Sequence, residues 1–311
     1  MAEDYIKSYS FQLAGKCFHV KSNSEINCFL FPRFSAFLSD CDDPFSIIRY
    51  TLTEETFSSE APLSYAERDK LLGTFEYPLE HFEIPSWNSY ILNIPPVRKL
   101  LEDYSGHGER VTLEIREQSL VVTDFLQHRM DVFYSGGNKR TLSEGRVDPL
   151  IFSPFLHDMN SLIVHSSCVS FDGMAAVFLS MDEGGKTTAA SLCEGGKVLA
   201  DDRVLFRKTD EQWLAYGTPW TTFPPDPGHA VPAAFFLLEK ADDFSLKKMG
   251  SRELFSFLWD EHHSARFHIP RIYHTIILDL YRDLSVSAPV YLMRFPKNYI
   301  DQDAILKCMK Q

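Results

Sequence analysis

The sequence predicts an α/β domain, a mixed sheet with helices, preceded by a mainly β (α+β) domain. Its length of 311 residues is about twice that of a common single domain, which favours two domains. Apolar residues alternate with polar ones through much of the first half, as is typical of strands with one buried face. In the second half, residues 174–179 form a continuous apolar run that indicates a strand buried on both faces. A glycine-containing loop and a helix-forming stretch follow that run, which is the order expected in an α/β domain.

The first half contains several strand signals separated by turn residues. The alternation over residues 9–20 breaks at Gly15 and predicts a hairpin. Further strands are predicted at 47–51, 90–94, 111–115, 119–123 and 130–134, and a helix at 95–103. Residues 135–149 are polar, glycine-bearing and poor in large apolar side chains. We therefore predict domains 1–148 and 149–311, the second carrying the candidate site.

Composition and charge exclude several classes of protein. Hydrophobic residues make up 44% and charged residues 24%, as in ordinary globular chains. The net charge of -12 repels a phosphate backbone or an anionic lipid surface, so neither nucleic acid nor membrane is an expected partner. The first residues lack the features of a secretory signal, and we expect a cytoplasmic protein. Six scattered cysteines without a C-x-x-C pair favour free thiols.

Residues 180–187 match a phosphate-binding P-loop, G-x-x-x-x-G-K-[ST], at every position but the first. Gly185 allows close backbone approach to phosphates, Lys186 can bridge their oxygens, and Thr187 can offer a hydroxyl to Mg²⁺. Ser180 replaces the first glycine. Either Ser180 adopts a more restricted backbone conformation than glycine would, or the loop is distorted and binds nucleotide weakly. The alternative is a Gly-Gly helix-entry turn followed by a surface lysine.

The candidate nucleotide-binding residues form one continuous segment. They are Asp182, Glu183, Gly184, Gly185, Lys186, Thr187 and Thr188. Two of them are acidic, which makes Mg²⁺ more necessary, and we expect metal-free ATP to bind poorly.

Two carboxylates, Asp201 and Asp202, follow a short apolar strand predicted at 198–200. Ligands of open α/β sheets lie at the carboxyl ends of strands, and these residues come fifteen positions after Lys186. A metal-binding or proton-accepting aspartate is therefore expected beside the loop. The alternative is a solvated turn before the next strand.

The stretch 165–206 resembles the catalytic domain of HPr kinase/phosphorylase, which shares the P-loop fold of ATP-dependent phosphoenolpyruvate carboxykinase. The likeness consists of the order of parts: a histidine ending one strand, a strand with the P-loop, a helix, and an Ala-Asp-Asp-Arg-Val segment. The 21-residue step from His165 to Lys186 also agrees with the family. Residues 213–220 resemble the diverged branch often found beside peptide-maturation cassettes.

The resemblance implies roles for individual residues. Lys186 would bind the transferring phosphoryl group, and Thr187 would bind Mg²⁺. Asp201 and Asp202 would divide two jobs, accepting the acceptor's proton and coordinating metal; which does which stays open, and Asp202 is taken with Thr187 as the candidate metal ligand. His165 matches the active-site histidine that contacts phosphate, its alternative being a histidine of the core.

The function implied is an ATP-dependent kinase, with ATP and Mg²⁺, that transfers the γ-phosphoryl group to a serine-type hydroxyl of a protein or peptide. One alternative is a catalytically impaired module that binds nucleotide or peptide and recruits partners in a biosynthetic cassette. Another is a small-molecule kinase. Lys186 and the two aspartates favour an enzyme, whereas Ser180 and the lack of a counterpart to the family's glutamate-containing signature favour the binding module. Assembly as a homo-oligomer is left open.

Overall fold

The computed structural model shows a mixed α/β protein. It describes residues 7–22, 34–53, 111–116, 119–125, 127–135, 155–181, 183–210, 212–264 and 271–311. Within these ranges no helix combines the length and the apolar character needed to cross a membrane.

In the part of the chain that the structure describes, the first sheet has six strands in the order β1-β2-β3-β6-β5-β4. Their bounds are β1 (Lys7–Leu13), β2 (Lys16–Ser22), β3 (Ser46–Thr53), β4 (Val111–Arg116), β5 (Ser119–Asp124) and β6 (Arg129–Ser135). The predicted hairpin at 9–20 is confirmed, because β1 and β2 are joined by Ala14 and Gly15, both with positive φ, as a tight two-residue turn requires. Four of the five other predicted strands lie within β3 to β6, whereas 90–94 and the helix at 95–103 lie outside the described residues.

Across the described ranges, the second sheet has nine strands and is accompanied by four helices. Its strands are β7 (Ser161–Val164), β8 (Ser166–Phe171), β9 (Met174–Leu179), β10 (Lys197–Ala200), β11 (Val204–Lys208), β12 (Trp213–Tyr216), β13 (His229–Lys240), β14 (Ser245–Met249) and β15 (Val290–Phe295). Seven of them follow the order β10-β8-β9-β13-β12-β11-β7, and β15 pairs with both β13 and β14. The helices are α1 (Lys186–Ser191), α2 (Ser251–Ser264), α3 (Arg271–Ser285) and α4 (Gln302–Met309).

Strand β9 is buried on both faces, as its apolar run predicts. Ala176 and Phe178 belong to a cluster with side chains of α1 and α4. Val177 and Leu179 belong to another cluster, with side chains of α2 and α3. Because β9, β13 and β15 run parallel, their carboxyl ends meet at one edge of the sheet. The loop after β9 therefore opens at the edge where α/β sheets bind ligands.

The two sheets share a hydrophobic core. Phe11 and Phe18 of the first sheet cluster with Leu205 and Trp220 of the second part of the chain. Arg207 Nη1 also donates to the carbonyl oxygen of Ala14 at 2.6 Å. The first sheet thus packs on β11 and its surroundings, while the boundary expected between residues 148 and 149 lies outside the described residues.

The expectation of free cysteines is wrong for one pair. Cys17 of β2 is joined to Cys41 in a disulfide. Their Cα atoms lie 6.5 Å apart, which is within the range that a disulfide bridges. Cys168, Cys193 and Cys308 are free and buried. Burial raises the pKa of the Cys168 and Cys193 thiols to about 12, so both stay protonated at neutral pH.

Candidate functional site

The loop between β9 and α1 makes a tight turn. Glu183 and Gly185 adopt left-handed backbone conformations, with φ of 58° and 101°, and the Gly184 amide donates to the Met181 carbonyl at 3.0 Å. A Cβ placed on Gly184 would lie 2.4 Å from both Cβ and Oγ of Ser180, which no real side chain tolerates. Glycine at 184 is therefore required because the loop folds back onto Ser180.

Lys186 is buried within this loop. Only 6% of the residue is exposed, and its Nζ donates to the carbonyl oxygens of Ser180 at 3.0 Å and Met181 at 3.4 Å. Ser167 of β8 donates from its hydroxyl to the Lys186 carbonyl at 2.9 Å, which fixes the start of α1 against the sheet. The alternative of a surface lysine is wrong, since the loop backbone holds this ammonium group at its centre.

Ser180 has a buried hydroxyl. The residue is 6% exposed, and its Oγ finds no hydrogen-bond partner among the residues that the structure describes. A buried hydroxyl without a partner costs free energy relative to one in water. The residue that departs from the P-loop pattern therefore places an uncompensated polar atom under the loop.

His165 lies in the break between β7 and β8, at the level where the neighbouring strands β10 and β11 are also separated. On one side of this break Val164 of β7 pairs with Val204 of β11, and on the other side Cys168 of β8 pairs with Ala200 of β10. Both pairs belong to the same antiparallel register. Continued into the gap, that register sets His165 opposite Arg203. The pairing of β8 with β9, continued by one residue, sets His165 beside Ser180. Strand register alone thus gathers the histidine, the loop and the Asp201-Asp202-Arg203 segment at one place.

His165 and Asp202 form a contact at this place. The Nε2 atom of His165 lies 3.1 Å from Oδ1 of Asp202, and Arg203 Nη1 lies 3.8 Å from the same oxygen. Burial alone would raise the pKa of Asp202, but the hydrogen bond from His165 and the positive charges of Arg203, His165 and Lys186 outweigh it and lower the pKa. Asp202 is therefore a carboxylate at neutral pH, and Lys186 acts on it electrostatically.

Asp201 has different surroundings. It is buried, its Oδ1 accepts from the Thr221 hydroxyl at 2.8 Å and from the Thr222 amide at 2.7 Å, and its Oδ2 accepts from the Thr222 hydroxyl at 2.6 Å. Both carboxylate oxygens are thus engaged by residues twenty positions later in the chain. The Arg203 amide also donates to the Trp220 carbonyl, so this segment is fixed beside Asp202.

The other candidate residues lie around the loop. Thr187 is exposed and Thr188 is half-buried in the first turn of α1, and Glu183 is exposed in the loop. Asp182 lies outside the described residues. Mg²⁺ is ordinarily bound through one or two carboxylates together with the phosphates of a substrate, and Asp202 and Thr187 offer the hard oxygen donors it prefers. Within the described ranges no group of three or more His, Cys, Asp or Glu is placed to hold a metal ion.

The candidate set drawn from the sequence omits Arg203 and Thr222. Arg203 stands next to Asp202 in the sequence, and its position opposite His165 follows once the strand pairing is known. Thr222 could not be identified from the sequence, because no local pattern indicates that it donates hydrogen bonds to Asp201.

No protein-family model matches the sequence, and no curated protein matches it significantly. The case for a function therefore depends on the residues and on the geometry described above.

Proposed function

We propose that this protein is an ATP-dependent kinase that transfers the γ-phosphoryl group to a serine-type hydroxyl of a protein or peptide. The fold proposed for its second part is the P-loop fold of phosphoenolpyruvate carboxykinase. One observation carries the proposal: strand register brings the P-loop-like turn that encloses Lys186 to the same place as His165, whose Nε2 lies 3.1 Å from Oδ1 of Asp202. A phosphate-binding lysine after β9 and an ionised aspartate after β10, the two strands that flank β8, are parts that phosphoryl transfer needs.

Each residue would act through its charge or its lone pairs. Lys186 would leave the carbonyls of Ser180 and Met181 and neutralise the charge on the outer phosphates. Thr187 and Asp202 would hold Mg²⁺, which when bound supplies positive charge to the phosphate oxygens. Asp202 would also accept the proton of the attacking hydroxyl as the new oxygen–phosphorus bond forms and ADP departs.

His165 and Arg203 would set the properties of Asp202. The hydrogen bond from His165 Nε2 orients the carboxylate, and the Arg203 guanidinium adds a positive charge beside it. Asp201 would position the segment 220–222 rather than take part in the chemistry, since both of its oxygens are already bound. In the proposed reaction Asp202 would therefore take both jobs, metal binding and proton acceptance, and Asp201 would take neither.

A second candidate is a module that binds nucleotide without transferring phosphate. The state of the loop favours it: Lys186 is satisfied by two carbonyls, and Ser180 fills the space under Gly184 that a glycine would leave open. Nucleotide binding must displace the lysine from those carbonyls, which reduces affinity.

Calorimetric titration of MgATP into the wild type, Lys186→Ala and Lys248→Ala tests the proposal. Lys248 is an exposed lysine of β14 and serves as the matched control. We expect binding by the wild type and Lys248→Ala, and loss of at least tenfold in affinity for Lys186→Ala. Failure of the wild type to bind MgATP at millimolar concentration would overturn both candidates.

If the wild type binds, intact-mass measurement of candidate peptides incubated with enzyme and MgATP separates the two. Addition of one phosphate by the wild type, absent with Asp202→Asn, supports the kinase. Binding by the wild type with no phosphate added to any hydroxyl-bearing peptide supports the binding module.

A further inference from the structure

We propose that the turn after β15 binds the base of the nucleotide, with Tyr299 as the stacking surface. This inference rests on the proposed function, because it takes the loop around Lys186 as the site of the phosphates. The ligand is a nucleoside triphosphate, whose base would lie on this turn.

The turn begins directly against the loop. A Cβ on Gly185 would lie 3.0 Å from Cζ of Phe295, the last residue of β15, so the ring of Phe295 packs on the backbone that precedes Lys186. The Tyr299 amide donates to the Pro296 carbonyl at 3.4 Å, which closes a four-residue turn. Such a turn brings its first and last Cα atoms within about 7 Å, so Tyr299 Cα lies within about 11 Å of Phe295 Cα.

The segment also ends beside α1. The Gln302 side chain donates to the Glu194 carbonyl and accepts from the Glu194 amide, both at 2.7 Å, just beyond the end of α1. Residues 296–301 therefore run from the start of α1 to its end. A nucleotide with its outer phosphates at Lys186 extends its ribose and base away from the loop, and this segment is one of the surfaces that the base can reach.

Tyr299 is an exposed aromatic ring with a fixed neighbour. It is 53% exposed, and it forms a T-shaped pair with Phe244, with ring centroids 6.2 Å apart. Ile300, next in the chain, is buried in the cluster that includes α1 and α4, so the backbone beneath the ring is anchored. More than half of this anchored residue is exposed to solvent, so aromatic surface is available for the stacking of a base.

Titration of Mg-tripolyphosphate beside MgATP separates base binding from phosphate binding. We expect Tyr299→Ala to weaken MgATP binding by about tenfold, within the range that aromatic–base stacking contributes, and to leave Mg-tripolyphosphate binding unchanged. Tyr299→Phe keeps the ring and should bind MgATP as the wild type does. Val286→Ala, which removes a 64%-exposed apolar side chain ahead of β15 at the opposite end of that strand, is the matched control and should change neither ligand.

The other outcomes contradict the inference in distinguishable ways. Equal weakening of both ligands by Tyr299→Ala would make the residue a support of the loop and overturn a base-specific role. No change in either ligand would overturn it as well, while the proposed function would stand. Failure of the wild type to bind either ligand would remove the proposed function itself.

Discussion

His165 Nε2 lies 3.1 Å from Asp202 Oδ1, although 37 positions separate the two residues in the sequence. They meet because β7 and β8 are interrupted at the same level as β10 and β11, so both connections cross one gap in the sheet. The pair faces the loop that holds Lys186, whose charge helps to lower the pKa of Asp202. Electrostatic attraction therefore couples one ionised carboxylate to one buried ammonium group.

Asp202→Asn should abolish the preference of the protein for MgATP over metal-free ATP. The substitution keeps the size of the side chain but removes the negative charge that would bind Mg²⁺. Calorimetric titration with excess Mg²⁺ and then with a chelator measures the preference, which we expect to fall by about tenfold or more. Asp279→Asn, at an exposed aspartate of α3, is the control and should retain it. An unchanged preference in Asp202→Asn would contradict a role for this carboxylate in metal binding.

Asp201→Asn should instead lower the stability of the fold. The buried carboxylate accepts three hydrogen bonds from Thr221 and Thr222, and an amide cannot accept all of them. Hydrogen bonds to charged groups contribute about 1.5–3 kcal/mol, so we expect a loss of about 2 kcal/mol in the free energy of unfolding. Urea denaturation measures it, with Asp202→Asn as the comparison, since that half-exposed side chain makes fewer such bonds. Equal stability of the two variants would refute the division of roles between the aspartates.

Much of this site was predictable from the sequence because its signals are local. The apolar run of β9, the glycines before Lys186 and the short strand before Asp201 each depend on neighbours within a few residues, and the structure contains all three elements. The hairpin at Gly15 was predictable for the same reason, since the turn conformation favours glycine.

What could not be predicted depends on distant contacts. The surroundings of Asp201 are set by Thr221 and Thr222, and no periodicity or spacing indicates that bond. The disulfide between Cys17 and Cys41 likewise follows from the way the chain brings β2 and residue 41 together. The core shared by the two sheets also depends on distant contacts. A domain boundary inferred from composition does not indicate how two sheets pack together.

Gly184→Ala should disrupt the loop, and Ser180→Gly should partly restore it. A Cβ at 184 meets Ser180 at 2.4 Å and the Met181 carbonyl oxygen at 2.9 Å. Removing the Ser180 side chain relieves the first clash and leaves the second. Overpacking of this kind costs about 1–3 kcal/mol, so we expect Gly184→Ala to weaken MgATP binding at least tenfold, and the double variant to recover part of that loss.

Ser180→Gly alone completes the double-mutant cycle with Gly184→Ala and the double variant. If the two substitutions act additively on MgATP affinity, Ser180 and Gly184 are not in contact in the binding-competent loop. The expected result is that Ser180→Gly improves MgATP affinity more in the Gly184→Ala background than it does in the wild type.

Asp158→Asn should destabilise the protein in a pH-dependent way. Asp158 Oδ2 lies 2.9 Å from His128 Nε2, and its Oδ1 lies 3.2 Å from His157 Nε2, so the carboxylate links the turn before β6 to the segment before β7. Burial would raise the pKa of Asp158, but the two histidines outweigh it and hold the pKa well below its usual range. A carboxyl with a lowered pKa stabilises the fold above its unfolded pKa, near 4, and this contribution is lost as pH falls toward the folded pKa.

Urea denaturation of the wild type and Asp158→Asn at pH 5 and below measures this effect. The wild type should be the more stable at pH 5, and its advantage should shrink as pH falls below about 4. Asp279→Asn, on α3, should show no such trend. An advantage that grows on acidification would mean that Asp158 is protonated more readily in the folded state than in the unfolded chain, which is incompatible with its contacts to His128 and His157.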